Sequence, residues 1–273
     1  MRYSMSAVLA GIGLLAACAK TDAPPASPAA AAAPAVETRE FEYQVGTTRL
    51  KGFMAWDAGR TGPRPGVVVV HEWWGHNEHA RNQARRLAEA GYVGMALDMY
   101  GDGKVTHHPD SAQAFVAEAT KDLAVLNARF EAAIAELKRD VRVDSTRIAA
   151  IGYCFGGMVV LSQARAGADL AAVVSFHGAL PSGKVDSGSV KARVLVLTGA
   201  ADPMVPPAEV TRFSNEMTAA GARFQVTSYP GVKHSFTNPE AGSHGMDALG
   251  YDAEADRQSW AAMVAMFREV FGS

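Results

Sequence analysis

The chain has 273 residues, 48% of them hydrophobic and 20% charged, with a formal net charge of −2. That length suits one large globular domain or two small ones. The near-neutral balance, with no dense Lys/Arg run, argues against a nucleic-acid surface, and two cysteines, Cys18 and Cys154, exclude a disulfide framework.

Met1-Arg2 is a short positive start, followed by an apolar stretch from Ala7 to Ala17. Eleven residues fall far short of the roughly 20 needed to span a bilayer, so residues 1–17 read as a signal peptide. The stretch ends in Leu15-Ala16-Ala17-Cys18, which resembles the lipobox of bacterial lipoproteins. That resemblance implies cleavage before Cys18, lipidation of its sulfur, and an envelope protein anchored by lipid and facing the periplasm. Ala19 after the cysteine favours the outer membrane over the inner one. The alternative is an ordinary secretory signal that leaves Cys18 incidental. Residues 18–36 alternate Pro and Ala with few groups able to build a core, and read as a semi-extended tether. A folded domain is expected over residues 37–273.

Within that domain, Phe41 to Val45 and Arg49 to Trp56 read as a hairpin split at Gly46-Thr47. Pro63 to Gly66 reads as a turn. Val67 to Val70 is an unbroken β-branched run, as expected for a strand buried on both faces of a parallel sheet. A helix is expected over Asn77 to Ala90, a strand over Tyr92 to Leu97, and a loop from Tyr100 to Pro109. One long helix or two should fill Asp110 to Lys138, entered through an Asp/Ser N-cap. Later strands are expected at Ile148–Ile151, Ala171–Phe176, Arg193–Leu197 and Phe224–Tyr229. Helices are expected directly after Gly157, over Pro206 to Ala220 and over Asp252 to Phe271. Alternating strands and helices predict an α/β fold with a mostly parallel, doubly wound sheet covered on both faces. Ligands gather at the carboxyl ends of such strands, and Glu72, Cys154, His177, Asp202 and His234 all fall just after strand ends.

The centre of the chain is RIAAIGYCFGGMVV, Arg147 to Val160. Gly152-Tyr153-Cys154-Phe155-Gly156 has the G-x-nucleophile-x-G form of a nucleophile elbow, with cysteine as the nucleophile. A sharp strand-to-helix turn strains the central residue and needs small neighbours. The helix N-terminus that follows favours a thiolate. The alternative is a buried structural cysteine beside a Gly-rich packing site. A thiol needs a base, and the base needs a group to fix its tautomer. The doubly wound hydrolase order of nucleophile, acid and histidine selects Cys154, Asp202 and His234. Asp202 otherwise serves as an N-cap for the helix near Pro206, and His234 otherwise lies on the surface. His71 heads no His-Glu-x-x-His motif, because residue 75 is Gly, and no metal site is expected. His76, His79, His107 and His108 read as solvated loop residues, and His244 as an edge of the pocket.

Four stretches in this order, HEWWG, GYCFGG, GAADPMVP and GVKHSF, resemble the dienelactone hydrolase family of the α/β-hydrolase fold, over about Phe41 to Phe271. The resemblance implies a triad of Cys154, Asp202 and His234, and an oxyanion hole from the backbone amides of Phe155 and Trp73. It also implies a modulating carboxylate, Glu72, that holds the resting thiol away from the histidine. It requires no cofactor. Where the family's prototype has an arginine that grips the substrate carboxylate, this chain has Asn238, so dienelactone itself does not follow as substrate. Trp73, Trp74 and His177, with Asn238, are expected to line a more aromatic and less cationic pocket. The expected protein is a monomeric carboxylic ester hydrolase acting on a small ester or lactone through a thioester acyl-enzyme. Thioester hydrolysis or acyl transfer on the same triad is the alternative, and a non-catalytic envelope lipoprotein is a further one.

Overall fold

The structure is a computed structural model that describes residues 1–4 and 33–272. The Ala7–Ala17 stretch, Cys18 and the tether up to residue 32 lie outside the described residues.

Strand β1 (Val36–Val45) pairs antiparallel with β2 (Thr48–Asp57) in one long hairpin. Its two-residue turn places Gly46 at φ 56°, a conformation open to glycine. β1 begins five residues before the expected Phe41, because Val36 to Glu40 pair with Phe53 to Asp57. β3 (Arg64–Val70) is wholly buried. The turn expected at Pro63 to Gly66 is therefore part strand. Arg64 pairs with Val143, and the register to β5 shifts between Pro65 and Gly66. That irregularity accommodates a proline without a donor.

Helix α1 (Glu78–Glu89) is capped by Asn77, whose side chain accepts from the Ala80 N–H. Its Ala80, Ala84, Leu87 and Ala88 pack on β4 (Val93–Leu97). A Cβ on Gly94 would lie 2.5 Å from the Ala84 carbonyl oxygen, which shows how closely helix and strand approach. The Asp110–Lys138 segment is two helices, α2 (Pro109–Thr120) and α3 (Leu123–Arg139). Asp122 separates them by capping α3 through the N–H groups of Ala124 and Val125. The expected Asp/Ser cap of α2 is not used. His108 holds that position without a side-chain bond, and Pro109, which needs no partner for an absent N–H, opens the helix.

β5 (Val143–Tyr153) runs into α4 (Phe155–Arg165). There follow β6 (Ala172–Phe176), β7 (Arg193–Gly199), α5 (Pro207–Ala219), β8 (Phe224–Tyr229) and α6 (Ala253–Phe271). The sheet order is β1-β2-β4-β3-β5-β6-β7-β8. β1, β2 and β4 are joined antiparallel, and every pair from β4 through β8 is parallel. Val68, Val70, Ala150 and Val196 face α3, α4 and α5. Val67, Val69, Ile151 and Leu197 face α1 and α6. Alternate residues of the same strands thus feed two cores, which is why the strands read as continuous apolar runs.

The β5–α4 turn decides where the sulfur sits. Cys154 has φ 52°, ψ −112°, a strained conformation for a residue with a side chain. The surrounding glycines are needed, but not to spare Cys154 itself. A Cβ on Gly152 would lie 2.0 Å from the Gly156 carbonyl oxygen, and one on Gly156 would lie 2.2 Å from the Val70 carbonyl oxygen. Both clashes are with backbone, so neither relaxes by turning a side chain. Gly156→Ala is expected to destabilise the domain by about 3 kcal/mol or more, in the upper range of overpacking costs, read as a fall in the urea midpoint at unchanged slope. A midpoint equal to wild type would show that the turn is looser than this geometry.

Candidate active site

Cys154, Asp202 and His234 converge at the carboxyl ends of β5, β7 and β8. His234 Nδ1 lies 2.7 Å from Asp202 Oδ2, and both side chains are buried. Asp202 does not cap α5: Pro206 holds that position without a side-chain bond. Instead the second oxygen of Asp202 accepts the Met204 N–H at 2.8 Å, so the carboxylate is fixed from both sides. The His234 backbone is pinned by the Ala248 carbonyl and the Gly250 N–H. His234 Nε2 is buried and makes no hydrogen bond of ordinary geometry with another protein group. Burial opposes its protonation, but the Cys154 charge and the Asp202 carboxylate outweigh burial and raise the His234 pKa to about 10.

The other buried histidines go the opposite way. Burial lowers the pKa of His71, His76, His79 and His177. His71 is held in one tautomer: its Nε2 accepts the Met99 N–H, so Nδ1–H donates to the Glu72 carbonyl at 2.6 Å. The His71 carbonyl in turn accepts the Gly156 N–H, tying the loop after β3 to the start of α4. His76 and His79 are not the solvated residues expected. His76 Nε2 contacts the Ala96 carbonyl at 3.1 Å, and His79 packs edge-on against Tyr153 in the first turn of α1. His107 and His108 are exposed.

The loop after β3 carries the remaining groups. Among the described residues, no hydrogen bond engages the N–H of Trp73 or of Phe155. The Trp73 carbonyl accepts the Tyr100 hydroxyl at 3.1 Å, and a Cβ on Gly75 would lie 2.0 Å from the Lys104 carbonyl oxygen, so this loop is held from both ends. Glu72 is fully buried. Its Oε1 accepts from Ser235 Oγ at 2.8 Å and its Oε2 from Asn238 Nδ2 at 2.6 Å. The hydrogen bonds that Glu72 makes among the described residues run to the loop that carries His234.

Three expected pocket residues, Asn238, His177 and Trp74, are buried. Asn238 is spent on Glu72. His177 is 0% exposed, with Nε2 2.8 Å from Thr237 Oγ1 and its ring edge-on to His234 at 5.1 Å. It backs the base rather than lining an opening. Trp74 is also buried and stacks on His244 at 3.7 Å, while Trp73 is partly exposed. Ser235, Thr237 and Tyr100 were not singled out from sequence. The polar run His234-Ser235-Phe236-Thr237-Asn238, directly after the proposed base, was the available signal.

The sequence profile of the dienelactone hydrolase family matches residues 50–271. The chain belongs to the dienelactone hydrolase family. It is similar to a protein assigned as a carboxymethylenebutenolidase in Methylorubrum extorquens, at 30% identity over 76% of this chain and 73% of that one. Among solved structures it is similar to a dienelactone hydrolase-like promiscuous phosphotriesterase from metagenomic libraries. That match has 42% identity, a TM-score of 0.82, and covers 86% of this chain and 98% of the other. It is also similar to a chain assigned as a dienelactone hydrolase from Klebsiella pneumoniae, at 26% identity and a TM-score of 0.73, covering 85% and 98%. The dienelactone hydrolase family places this chain among hydrolases of the α/β-hydrolase fold.

Two measurements test this geometry. The folded His234 pKa lies above the unfolded value near 6.5. Its contribution to stability is therefore complete below about pH 6.5 and lost as pH rises through about 10. Cys154→Ala is expected to lower the His234 titration, followed by its ring protons in NMR; an unmoved titration would put the sulfur out of range. Asn238→Leu leaves a Glu72 oxygen buried without a donor and should cost about 1–3 kcal/mol in urea unfolding. A cost near zero would mean that water replaces the amide.

Proposed function

We propose that this dienelactone hydrolase family member cleaves small esters or lactones with Cys154 as nucleophile. The supporting observation is the orientation of His234. Its Nδ1 is committed to the Asp202 carboxylate, its Nε2 is buried, and the Cys154 side chain acts on the ring both as a charge and as a hydrogen-bond partner. In this reading His234 holds the proton taken from the Cys154 thiol. The thiolate attacks the carbonyl carbon, and the resulting oxyanion is received by the N–H groups of Trp73 and Phe155. Collapse expels the alkoxide, which takes the proton from His234 Nε2, and leaves a thioester on Cys154. His234 then removes a proton from water, the hydroxide attacks the thioester, and the acid product leaves with the thiol restored. Glu72 acts through Ser235 and Asn238, holding the His234 loop against the loop that carries Trp73.

A thiolate is a good nucleophile and a good leaving group, so activated esters, enol lactones and thioesters suit it better than amides. Thioester hydrolysis and acyl transfer use the same groups. Phosphotriester cleavage is a second reading, favoured by the 42% identity to a promiscuous phosphotriesterase. We also read the enzyme as lipid-anchored through Cys18 and facing the periplasm, a reading carried by the sequence of the leader.

Cys154→Ala is expected to reduce p-nitrophenyl ester turnover at least about a thousandfold, the scale of removing a nucleophile, with an unchanged far-UV spectrum. Retained turnover would remove Cys154 from the mechanism. A panel of p-nitrophenyl esters, acyl thioesters and a p-nitrophenyl phosphotriester, each with and without alcohol acceptors, ranks the reaction classes by kcat/KM.

A further inference from the structure

The opposite end of the sheet carries a feature that ester hydrolysis does not use. A cleft of about 330 Å³ opens at the amino ends of the strands. Its charged walls are four arginines, Arg60, Arg64, Arg147 and Arg268, with no acidic side chain among its lining residues. Arg147 precedes Cys154 by seven residues on one strand. At ~3.3 Å per residue that is roughly 20 Å, so the cleft is separate from the candidate active site.

Two of these arginines already have carboxylate partners: Arg60 contacts Asp57 at 3.4 Å and Arg147 contacts Asp144 at 2.7 Å. Among the described residues, Arg64 and Arg268 form no ion pair, although the Asp57 and Asp140 carboxylates act on the Arg64 charge from farther away. Arg64 is the telling case. It is only 7% exposed, yet its guanidinium makes one hydrogen bond, from Nη1 to the Asp57 carbonyl at 2.7 Å, and its Nε is buried without a partner. A buried guanidinium N–H without a partner is costly unless a ligand supplies an acceptor. Arg60 closes one wall, where a Cβ on Gly91 would lie 2.9 Å from its Cζ. Three carbonyls at the end of α1, those of Arg86, Ala88 and Leu87, are already taken by the N–H groups of Ala90, Gly91 and Tyr92.

We propose that this cleft binds a phosphate group, held by Arg64 and Arg268 and flanked by Arg60 and Arg147. Planar guanidinium forks match phosphate oxygens, and several together distinguish a phosphate from a single carboxylate. The phosphate can belong to a lipid headgroup or to a free phosphate ester. The place where the chain enters the domain bears on the first source. The Ala35 N–H donates to Asp57 Oδ1 at 3.0 Å, the same carboxylate that pairs with Arg60. A tether leading to a lipidated Cys18 therefore joins the domain beside the cleft.

The test uses the full chain. Inorganic phosphate is titrated by calorimetry in a phosphate-free, low-salt buffer against wild type, Arg64→Gln, Arg268→Gln and, as a charge control, Arg257→Gln. Saturable binding is expected, weakened about tenfold or more by either of the first two changes and unaltered by the third, with p-nitrophenyl ester turnover unchanged throughout. If Arg64→Gln does not fold, the exposed Arg268 decides alone. A second arm compares flotation with phosphatidylcholine vesicles and with phosphatidylcholine–phosphatidylglycerol vesicles. An excess on the anionic vesicles that Arg268→Gln removes identifies the headgroup as source, and no excess alongside phosphate binding identifies a free phosphate ester. Absence of phosphate binding, or binding equally strong in Arg268→Gln, overturns the proposal. Loss of ester turnover in Cys154→Ala bears only on the hydrolase reading and leaves this one untouched.

Discussion

The structure depends on the contact between the first turn of α4 and the two strands beneath it. Gly152 and Gly156 have no Cβ, so the backbone of α4 meets that of β5 and the Val70 carbonyl at distances no side chain would permit. This contact holds Cys154 in its strained conformation, at the N-cap of a helix and at the carboxyl edge of the central strands. Strain of this kind persists only where surrounding structure over-determines it. Here the surroundings are the wholly buried β3 and the buried second half of β5, Ile148 to Tyr153. Three further residues with side chains, Asp102, His177 and Ser235, also have positive φ, and the last two sit beside His234. The stored strain is concentrated at the one edge where chemistry is expected.

Electrostatics sharpen the same point. Four histidines are buried around this edge and His79 is partly buried, and burial alone would keep all five neutral. Four follow that rule. His234 departs from it because it alone lies between a carboxylate and the Cys154 sulfur. Glu72 adds a buried carboxylate that does not pair with any cation. It is satisfied by the neutral donors Ser235 and Asn238, so its contribution is to hold two loops in register. This bears on specificity. The position from which the family's prototype grips a substrate carboxylate is occupied here by an amide turned inward.

Much of this was legible in the chain. The strands from β3 onward, their order of alternation with helices, the elbow and the triad order all rest on local patterns: β-branched runs, glycines around a nucleophile, and polar residues just past strand ends. Readings failed where a local signal competed with a distant partner. Pro65 looks like a turn residue until β5 draws the start of β3 into a ladder with Val143. Asp110 and Ser111 look like caps, but Pro109 has already opened α2. His76 and His79 look solvated beside Asn77 and Glu78, yet they are covered by β4 and by Tyr153. His177 looks like a pocket residue because it follows a strand, and Asn238 because it stands at the position of the family's arginine, yet both are buried against other side chains.

What the amino-acid order determined by itself is the set of chemical groups and their sequence along a doubly wound sheet. Propensity, periodicity and turn chemistry act over a few residues and are written in adjacent positions. Only the tertiary structure decided which of those groups meet. Ser235 and Asn238 reach Glu72 across more than 160 residues of chain. The four arginines of the lower cleft come from β3, β5, α6 and the turn after β2. Such meetings depend on the packing of side chains into two shared cores, a property of the whole sheet rather than of any segment within it.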